Sequence, residues 1–381
     1  MKKFIFIPVL FLVCRFACAQ GFYNKGAQVS VASQTVFVLP DSLVNTGTLK
    51  NDGDILVSGA WINSGTYDAG AGLINFNSTI AQVINHNDQS MGKLTVSGGG
   101  EKQFLANITV QTELQLQNGI LVSGNGAKII LSEGAVVSGG NNTSYVKGSV
   151  QHRGKGTWLF PIGSGSAYLP VEIAGVTDAA ATGTLTLHEL TGGQKLTGED
   201  VTSLSSRRYW ELVMTGGKLN SGKIKLPLAG EENLTGDAEL LVVAASDQAS
   251  GSYRSLGKSE VAGTLTSGSV TSEQSPAFTF FTVATISGEQ DIEVFNGISP
   301  DANGKNDFMR ISNIESYPQN TVMIFNRWGD RVFEQSGYDN NLKSFRGESN
   351  ITNSKLPAGV YFYSVDLKNS TPKRTGYVVI K

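Results

Sequence analysis

Cysteine is nearly absent from this 381-residue chain: there are two, Cys14 and Cys18, both within the first eighteen positions. If that leader is removed, the remaining chain has no disulfide, zinc-thiolate site or cysteine nucleophile. Histidine is almost as scarce. His86, His152 and His188 stand alone, with no H-x-x-x-H or H-E-x-x-H spacing, so neither a histidine metal centre nor Ser/His/Asp machinery can be assembled locally. Charged residues make up 16% against a usual share of about 25%, too few for helices laced with ion pairs. The formal charge is −2, and removing Lys2, Lys3 and Arg15 with the leader leaves 27 basic residues against 32 acidic. A balance of −5 excludes a basic nucleic-acid footprint. Long apolar runs are missing too. The one candidate, Phe4 to Val13, is interrupted by Pro8 and followed by Arg15, well short of the roughly 20 residues that span a bilayer as a helix.

Residues 1–19 instead read as a signal peptide. Lys2 and Lys3 precede the apolar stretch, and Ala17-Cys18-Ala19 forms a small-x-small cleavage site before Gln20. A lipid anchor on Cys18 fits less well, because Arg15 and Phe16 stand where that signal wants an aliphatic and a small residue. The protein is therefore expected outside the cytoplasm. Without disulfides it must be held by burial and backbone ladders, which suits packed β layers.

Glycine is abundant, at 45 residues, and 40% of the chain is hydrophobic, which argues for a folded, turn-rich, all-β protein. Residues 27–160 repeat irregularly: Asn45-Thr46-Gly47, Asn51-Asp52-Gly53 and Asn63-Ser64-Gly65 start 6 and 12 residues apart. The pieces between them, such as Ile55-Leu56-Val57 and Trp61-Ile62, bury a face only if successive units stack. This favours a parallel β-solenoid over a sandwich of Gly-rich hairpins, with Gly and Asn expected in left-handed corners and corner asparagines available for side-chain ladders. Within Lys128-Ile129-Ile130-Leu131, Ile130 is expected to point inward and Ser132 to lie on the other face or at a corner. In residues 161–287 the strands lengthen, as in Thr184–Leu187, Tyr209–Val213, Leu240–Val243 and Phe278–Val283, and the spacing predicts a β-sandwich with Trp210 and Phe280 in its core. A polar stretch, Ile286 to Asp291, closes this region.

The last ninety or so residues carry four motifs in order: Ser299-Pro300-Asp301-Ala302-Asn303-Gly304 with Asn306 and Asp307, then Asn326-Arg327-Trp328-Gly329, then Leu356-Pro357-Ala358-Gly359-Val360-Tyr361, then Gly376-Tyr377-Val378-Val379-Ile380-Lys381. This series, over residues 292–381, resembles the gliding-motility-associated C-terminal domain, the type B sorting domain of the Bacteroidota type IX secretion system. Two departures stand out. The family loop Pro-Asn-Gly-Asp-Gly is here Pro300-Asp301-Ala302-Asn303-Gly304, and its Trp-Asp-Gly is represented by Phe345-Arg346-Gly347. The resemblance implies that a type IX secretion translocon is the partner, that the destination is extracellular or the outer cell surface, and that no residue here does chemistry. The strand pattern itself predicts a small immunoglobulin-like sandwich of seven or so strands, with Tyr361 and Tyr363 on one face and the C-terminus paired in a sheet.

Several side chains invite a site reading. Asp301, Asn303, Asn306 and Asp307 resemble the start of a calcium loop, but Ser312 and Asn313 stand where a bidentate carboxylate belongs, and turn capping explains the same residues. Asp52, Asp54 and Asp68 form the one acidic cluster of the solenoid, where turn solvation accounts for them. Asn45, Asn51 and Asn63 read as glycan contacts or as corner residues, and Trp61, Trp158 and Tyr168 as a carbohydrate platform or as core. The expectation is a secreted or cell-surface structural or adhesion-type protein without catalytic residues, metal or cofactor, with surface glycans or envelope proteins as further partners. The alternative is a carbohydrate-active enzyme, a polysaccharide lyase or hydrolase, on the solenoid.

Overall fold

The computed structural model describes residues 21–381 apart from 192–194, 220, 231, 288–291 and 370, so the leader and its cleavage site lie outside the described residues. The chain is all-β and divides into two compact units, one ending at Ile286 and the other running from Ser287 to Lys381.

The first unit begins as a parallel β-solenoid of about seven turns. Its opening turns are built from β1 (Phe22–Asn24), β2 (Gln28–Val31), β3 (Val36–Leu39), β4 (Leu43–Asn45), β5 (Thr48–Asn51), β6 (Asp54–Val57), β7 (Trp61–Asn63) and β8 (Thr66–Asp68). Three parallel faces result: β1-β4-β7, β2-β5-β8 and β3-β6. Strands this short succeed because equivalent residues stack; Leu49, Ile55, Val57, Trp61 and Ile74 all have 1% or less of their surface exposed. The second face stops at β8, and there the carboxamide of Gln89 takes the place of a strand. Its Oε1 accepts from the Tyr67 amide at 2.7 Å, and its Nε2 donates to the Gly65 carbonyl at 2.7 Å.

The Asn-x-Gly repeats work differently from the sequence expectation. Asn45, Asn51 and Asn63 are not left-handed corner residues; they end strands and point inward, with 1% or less exposure. Gly47, Gly53 and Gly65 do not have positive φ either. A Cβ on any of them would run into a backbone carbonyl of the preceding turn, that of Ala27, Ala32 or Gly47. Close approach of stacked backbones, rather than handedness, requires glycine there. Ile130 also departs from expectation. Ile130 is buried, at 7% exposure, but on the opposite face of its strand from Ile129 and Leu131, which are the two that enter the main apolar core.

The solenoid runs into the middle region without a break in hydrogen bonding. Strand Ser149–Arg153 pairs in parallel with Lys128–Leu131 on one side and antiparallel with Thr182–Glu189 on the other. The same sheet continues through Arg208–Gly216, Phe280–Thr285, Leu241–Ser246 and Ser252–Ser255. A second antiparallel sheet comprises Gly156–Phe160, Val171–Val176, Lys223–Ala229, Ser267–Thr271 and Glu260–Thr264. Their inner residues, Trp158, Ile173, Trp210, Ile224 and Val270 among them, belong to one continuous apolar core with the solenoid interior. Trp210 is buried as expected, but its neighbour in the core is Phe281; Phe280 is half-buried on the other face, beside Val242 and Ala284.

Among the described residues the second unit holds seven strands. Five form a sheet in which Gly297–Ile298 lies parallel to Arg374–Ile380, followed antiparallel by Gly359–Asp366, Thr321–Phe325 and Arg331–Ser336. The C-terminus is thus stitched into the sheet, and the Lys381 amide donates to the Ile298 carbonyl at 3.0 Å. Its core gathers Val322, Ile324, Tyr361, Val365 and Val378 from the sheet with Met309, Ile311, Tyr338 and Phe345. Among the described residues no helix is long and apolar enough to cross a membrane.

Candidate functional site on the C-terminal unit

Two of the C-terminal motifs meet on one groove. The first is a turn stapled by a single asparagine. Asn326 Oδ1 accepts from the amides of Trp328 and Asp330, both at 2.9 Å, and its Nδ2 donates to Asp330 Oδ2 at 3.0 Å. Gly329 adopts φ +87°, a left-handed conformation that a side chain would strain. The turn holds Trp328 out in solvent at 78% exposure, with the Arg327 guanidinium 5.2 Å over its ring. An indole so displayed, with a cation stacked on it, contributes little burial and is open to contact.

The second motif supplies the groove's other wall. Tyr361 turns inward, and its hydroxyl donates to the Pro357 carbonyl at 2.9 Å, which anchors the approach of Leu356-Pro357-Ala358-Gly359. Alternation then turns Val360 and Phe362 outward, each 50% exposed. Tyr377, opposite Phe362 on the last strand, is equally exposed. The groove between the turn and the strand has a volume of about 470 Å³ and is lined by Arg327, Trp328, Val332, Pro357, Val360 and Phe362 together with their neighbours. Such a surface can recognise an apolar or aromatic partner with some anionic character. It presents no nucleophile, base or metal-ligand set.

Sequence reasoning singled out both motifs but not the groove. The signal was present: Val360-Tyr361-Phe362-Tyr363 is apolar on both parities, and Trp328 sits inside a turn rather than in an alternating strand.

The Asp301–Asp307 loop directs one oxygen of each of Asp301, Asn303 and Asp307 at its own backbone, while Asp301 Oδ2 accepts from Asn303 Nδ2 at 2.8 Å and the buried Asp307 Oδ1 has no hydrogen-bond partner. Asp301 Oδ1 accepts from the Asn303 amide at 3.2 Å, Asn303 Oδ1 from Lys305 at 2.8 Å and Asp307 Oδ2 from Gly304 at 2.7 Å. Ala302 and Asn306 both have positive φ. The other family departure, Phe345-Arg346-Gly347, places Phe345 fully in the core, its amide donating to the Tyr338 hydroxyl at 3.0 Å.

The remaining candidates are dispersed. His86 is buried; its Nδ1 accepts from Trp61 Nε1 at 3.0 Å, and burial pulls its pKa down to about 4. His152 is buried against Trp158, its Nε2 lies 2.8 Å from the Leu159 carbonyl, and burial likewise lowers its pKa to about 4. Both rings are therefore neutral parts of the packing. His188 pairs with Glu211 at 2.8 Å on the surface of the middle region. Trp61 and Trp158 are fully buried and Tyr168 half-buried, so the three form no exposed platform. Asp52 pairs with Lys50 at 3.2 Å, while Asp54 and Asp68 face solvent. No group of three or more His, Cys, Asp or Glu side chains able to hold a metal ion occurs among the described residues.

The sequence pattern did not reveal three buried charged residues, a lone lysine and an Arg–Glu pair. Lys102 is wholly buried and donates to the carbonyls of Ser78, at 2.6 Å, and Gly99; burial lowers its pKa to about 8. Arg208 lies 3.1 Å from Glu232, whose other oxygen accepts from Ser205. Burial raises the Glu232 pKa, with Arg208 opposing the rise. Lys102 lies within strand Glu101–Phe104 and Arg208 opens strand Arg208–Gly216, both inside the first unit, and neither lines the groove described above.

Residues 292–380 match the family described as the CHU_C Type IX secretion signal domain. No curated protein and no solved structure matches the chain. Residues 292–380 are thus a type IX secretion signal domain, which implies export across the outer membrane to the cell surface or the medium and interaction with the secretion machinery.

Proposed function

We propose that the protein is a non-enzymatic passenger of structural or adhesive character, delivered by its C-terminal domain, and that the groove beside Trp328 is the face the secretion machinery recognises. The observation that carries the reading is the coincidence of two things in one unit: the match of residues 292–380 to a sorting domain, and the convergence of its motifs on an exposed aromatic groove. Surface-exposed aromatic and Arg side chains are the usual anchors of protein recognition. The passenger's distinctive polar residues support a structural role, because they are spent on holding rungs together. Asn24, Asn45 and Asn63 hydrogen-bond one another, and Gln89 completes a face.

On this reading residues 1–19 are removed on crossing the inner membrane, the middle sheets form a β-sandwich, and the seven strands of the second unit follow an immunoglobulin-like plan. Envelope proteins or surface glycans are the passenger's partners.

The test is to delete residues 292–381 and follow the passenger by fractionation in a type IX host. It should accumulate in the periplasm, with Gln20 at its N-terminus by mass spectrometry, while the intact chain reaches the surface or medium. Arrival of the truncated chain outside would sink the sorting role. Turnover of any polysaccharide in a broad panel by the purified intact chain would sink the non-enzymatic one.

A further inference from the structure

Among the described residues the first turn of the solenoid is an open end, and the inference drawn from it rests on the removal of residues 1–19 proposed above. Among the described residues β1, β2 and β3 each pair on one side only, with β4, β5 and β6. The direction of the free groups follows from the ladder. Asp54 and Ser58 donate to the carbonyls of Thr35 and Leu39, so residues of that parity hydrogen-bond toward β6, and the N–H and C=O of Val36 and Val38 point to the open edge. The interior is open as well. Phe22, Val29 and Phe37 pack on the core but remain only half-buried, and Phe22 meets Phe37 edge-on at 5.2 Å. Solenoids ordinarily close such an end with a polar cap, and edge strands are ordinarily blunted by charge or proline. None of the three strands here contains a charged residue or proline, and Tyr23, Val36 and Val38 stand 58–61% exposed around the rim.

We infer that this end is an interface between two copies of the chain, joined head to head about a two-fold axis perpendicular to the solenoid. The occupant must offer three strand edges at the spacing of a solenoid cross-section, around an apolar centre. A second copy of the same rung offers this, antiparallel, and with no Asp, Glu, Lys, Arg or His in the facing strands it meets no like-charge repulsion. The far end of the solenoid cannot serve instead. Strand Ser149–Arg153 is already paired with Thr182–Glu189, and Val146 bridges to Ile162. This excludes an end-to-tail filament and leaves a closed dimer.

Sedimentation velocity of the exported full chain over a concentration series tests the assignment. A two-copy species in exchange with monomer is expected. Val38→Pro removes one open-edge N–H from each copy without touching the ladder to β6, and should weaken association about tenfold or more. The double variant Val36→Lys with Val38→Lys changes only exposed side chains, places four added positive charges at the junction, and should be monomeric with an unchanged unfolding transition. A chain that stays monomeric throughout, a dimer that persists in the folded double-lysine variant, or an assembly larger than two copies would overturn the inference. None of these outcomes bears on export, so the sorting role stands or falls separately.

Discussion

Asn45 donates from Nδ2 to Asn63 Oδ1 at 2.7 Å and accepts on its own Oδ1 from Asn24 Nδ2 at 2.8 Å, so one asparagine joins three consecutive turns through the interior of the solenoid. It also accepts from the Gly47 amide at 3.2 Å and reaches the carbonyls of Gly47 and Thr66 at 3.3 and 3.2 Å. Asn63 is the poor end of the ladder, because its buried Nδ2 finds no partner. Asn45→Ala should therefore destabilise the first unit by about 2–4 kcal/mol, since several buried groups lose their partner at once, whereas Asn63→Ala should cost clearly less. Urea unfolding of the two variants checks the order. Equal losses would mean that the ladder is not what holds the turns in register.

Two glycines separate close approach from handedness. Gly65 lacks positive φ but has the Gly47 carbonyl where its Cβ would be; Gly26 has φ +81° and open space around it. Gly26→Ala should cost only about 1 kcal/mol of left-handed strain. Gly65→Ala must push two stacked turns apart and should cost more, with broadened amide signals in β5 and β8. Thermal unfolding of the pair is the measurement.

This distinction, and several like it, could not be read along the chain. The turn-and-strand rhythm announced stacking, because Asn-x-Gly recurs at multiples of one unit. What stacking places above each residue depends on offsets of 21 residues from Asn24 to Asn45 and 18 from Asn45 to Asn63, which no local pattern reveals. Runs such as Lys128-Ile129-Ile130-Leu131 and Phe280-Phe281 are apolar at both parities, so the face of each residue is decided by its neighbours in the sheet. The C-terminal groove was legible as two motifs and illegible as a surface, because its walls lie about thirty positions apart in sequence and are brought together by the antiparallel pairing of residues 321–325 with 362–366.

The corrected parity gives its own test. Ile129→Asp puts a charge among Ile108, Leu131 and Val150 with no partner and should cost several kcal/mol or abolish folding. Ile130→Asp, buried at 7% exposure but outside the main apolar cluster, should be costly too, though less so than Ile129→Asp. Far-UV circular dichroism with urea titration decides between them, and the reverse order would restore the inward placement of Ile130.

Acid should loosen the first unit through its two buried histidines. Each has a folded pKa near 4 against an ordinary value of 6.5, so between these pH values the unfolded chain takes up protons that the folded chain refuses. Stability then falls as pH is lowered from about 6.5 to 4, by up to roughly 3 kcal/mol per histidine, and below 4 this contribution levels off. His152→Phe should keep the stack on Trp158 while flattening that part of the pH profile. An unchanged slope in the variant would assign the acid sensitivity to other groups.

Trp328 offers the sharpest separation of function from stability. At 78% exposure it contributes little burial, and Trp328→Ala forfeits chiefly an exposed cation–π contact with Arg327 worth about 0.5–1 kcal/mol. Phe362→Ser removes the opposite wall at a similarly small cost, since the inward neighbours Tyr361 and Val365 keep the core intact. If the groove is the recognised face, each variant should fold normally yet stall in the periplasm, and the double variant should export no better than a chain lacking residues 292–381. Leu342→Ser, at an 88% exposed position of the same unit outside the groove, should export normally. Quantifying surface and periplasmic fractions for the four chains, with a thermal scan of each, reads both properties together. Normal export of the folded double variant would show that the machinery grips the domain elsewhere, and attention would shift to the paired C-terminal strand, where the Lys381 amide is tied to Ile298.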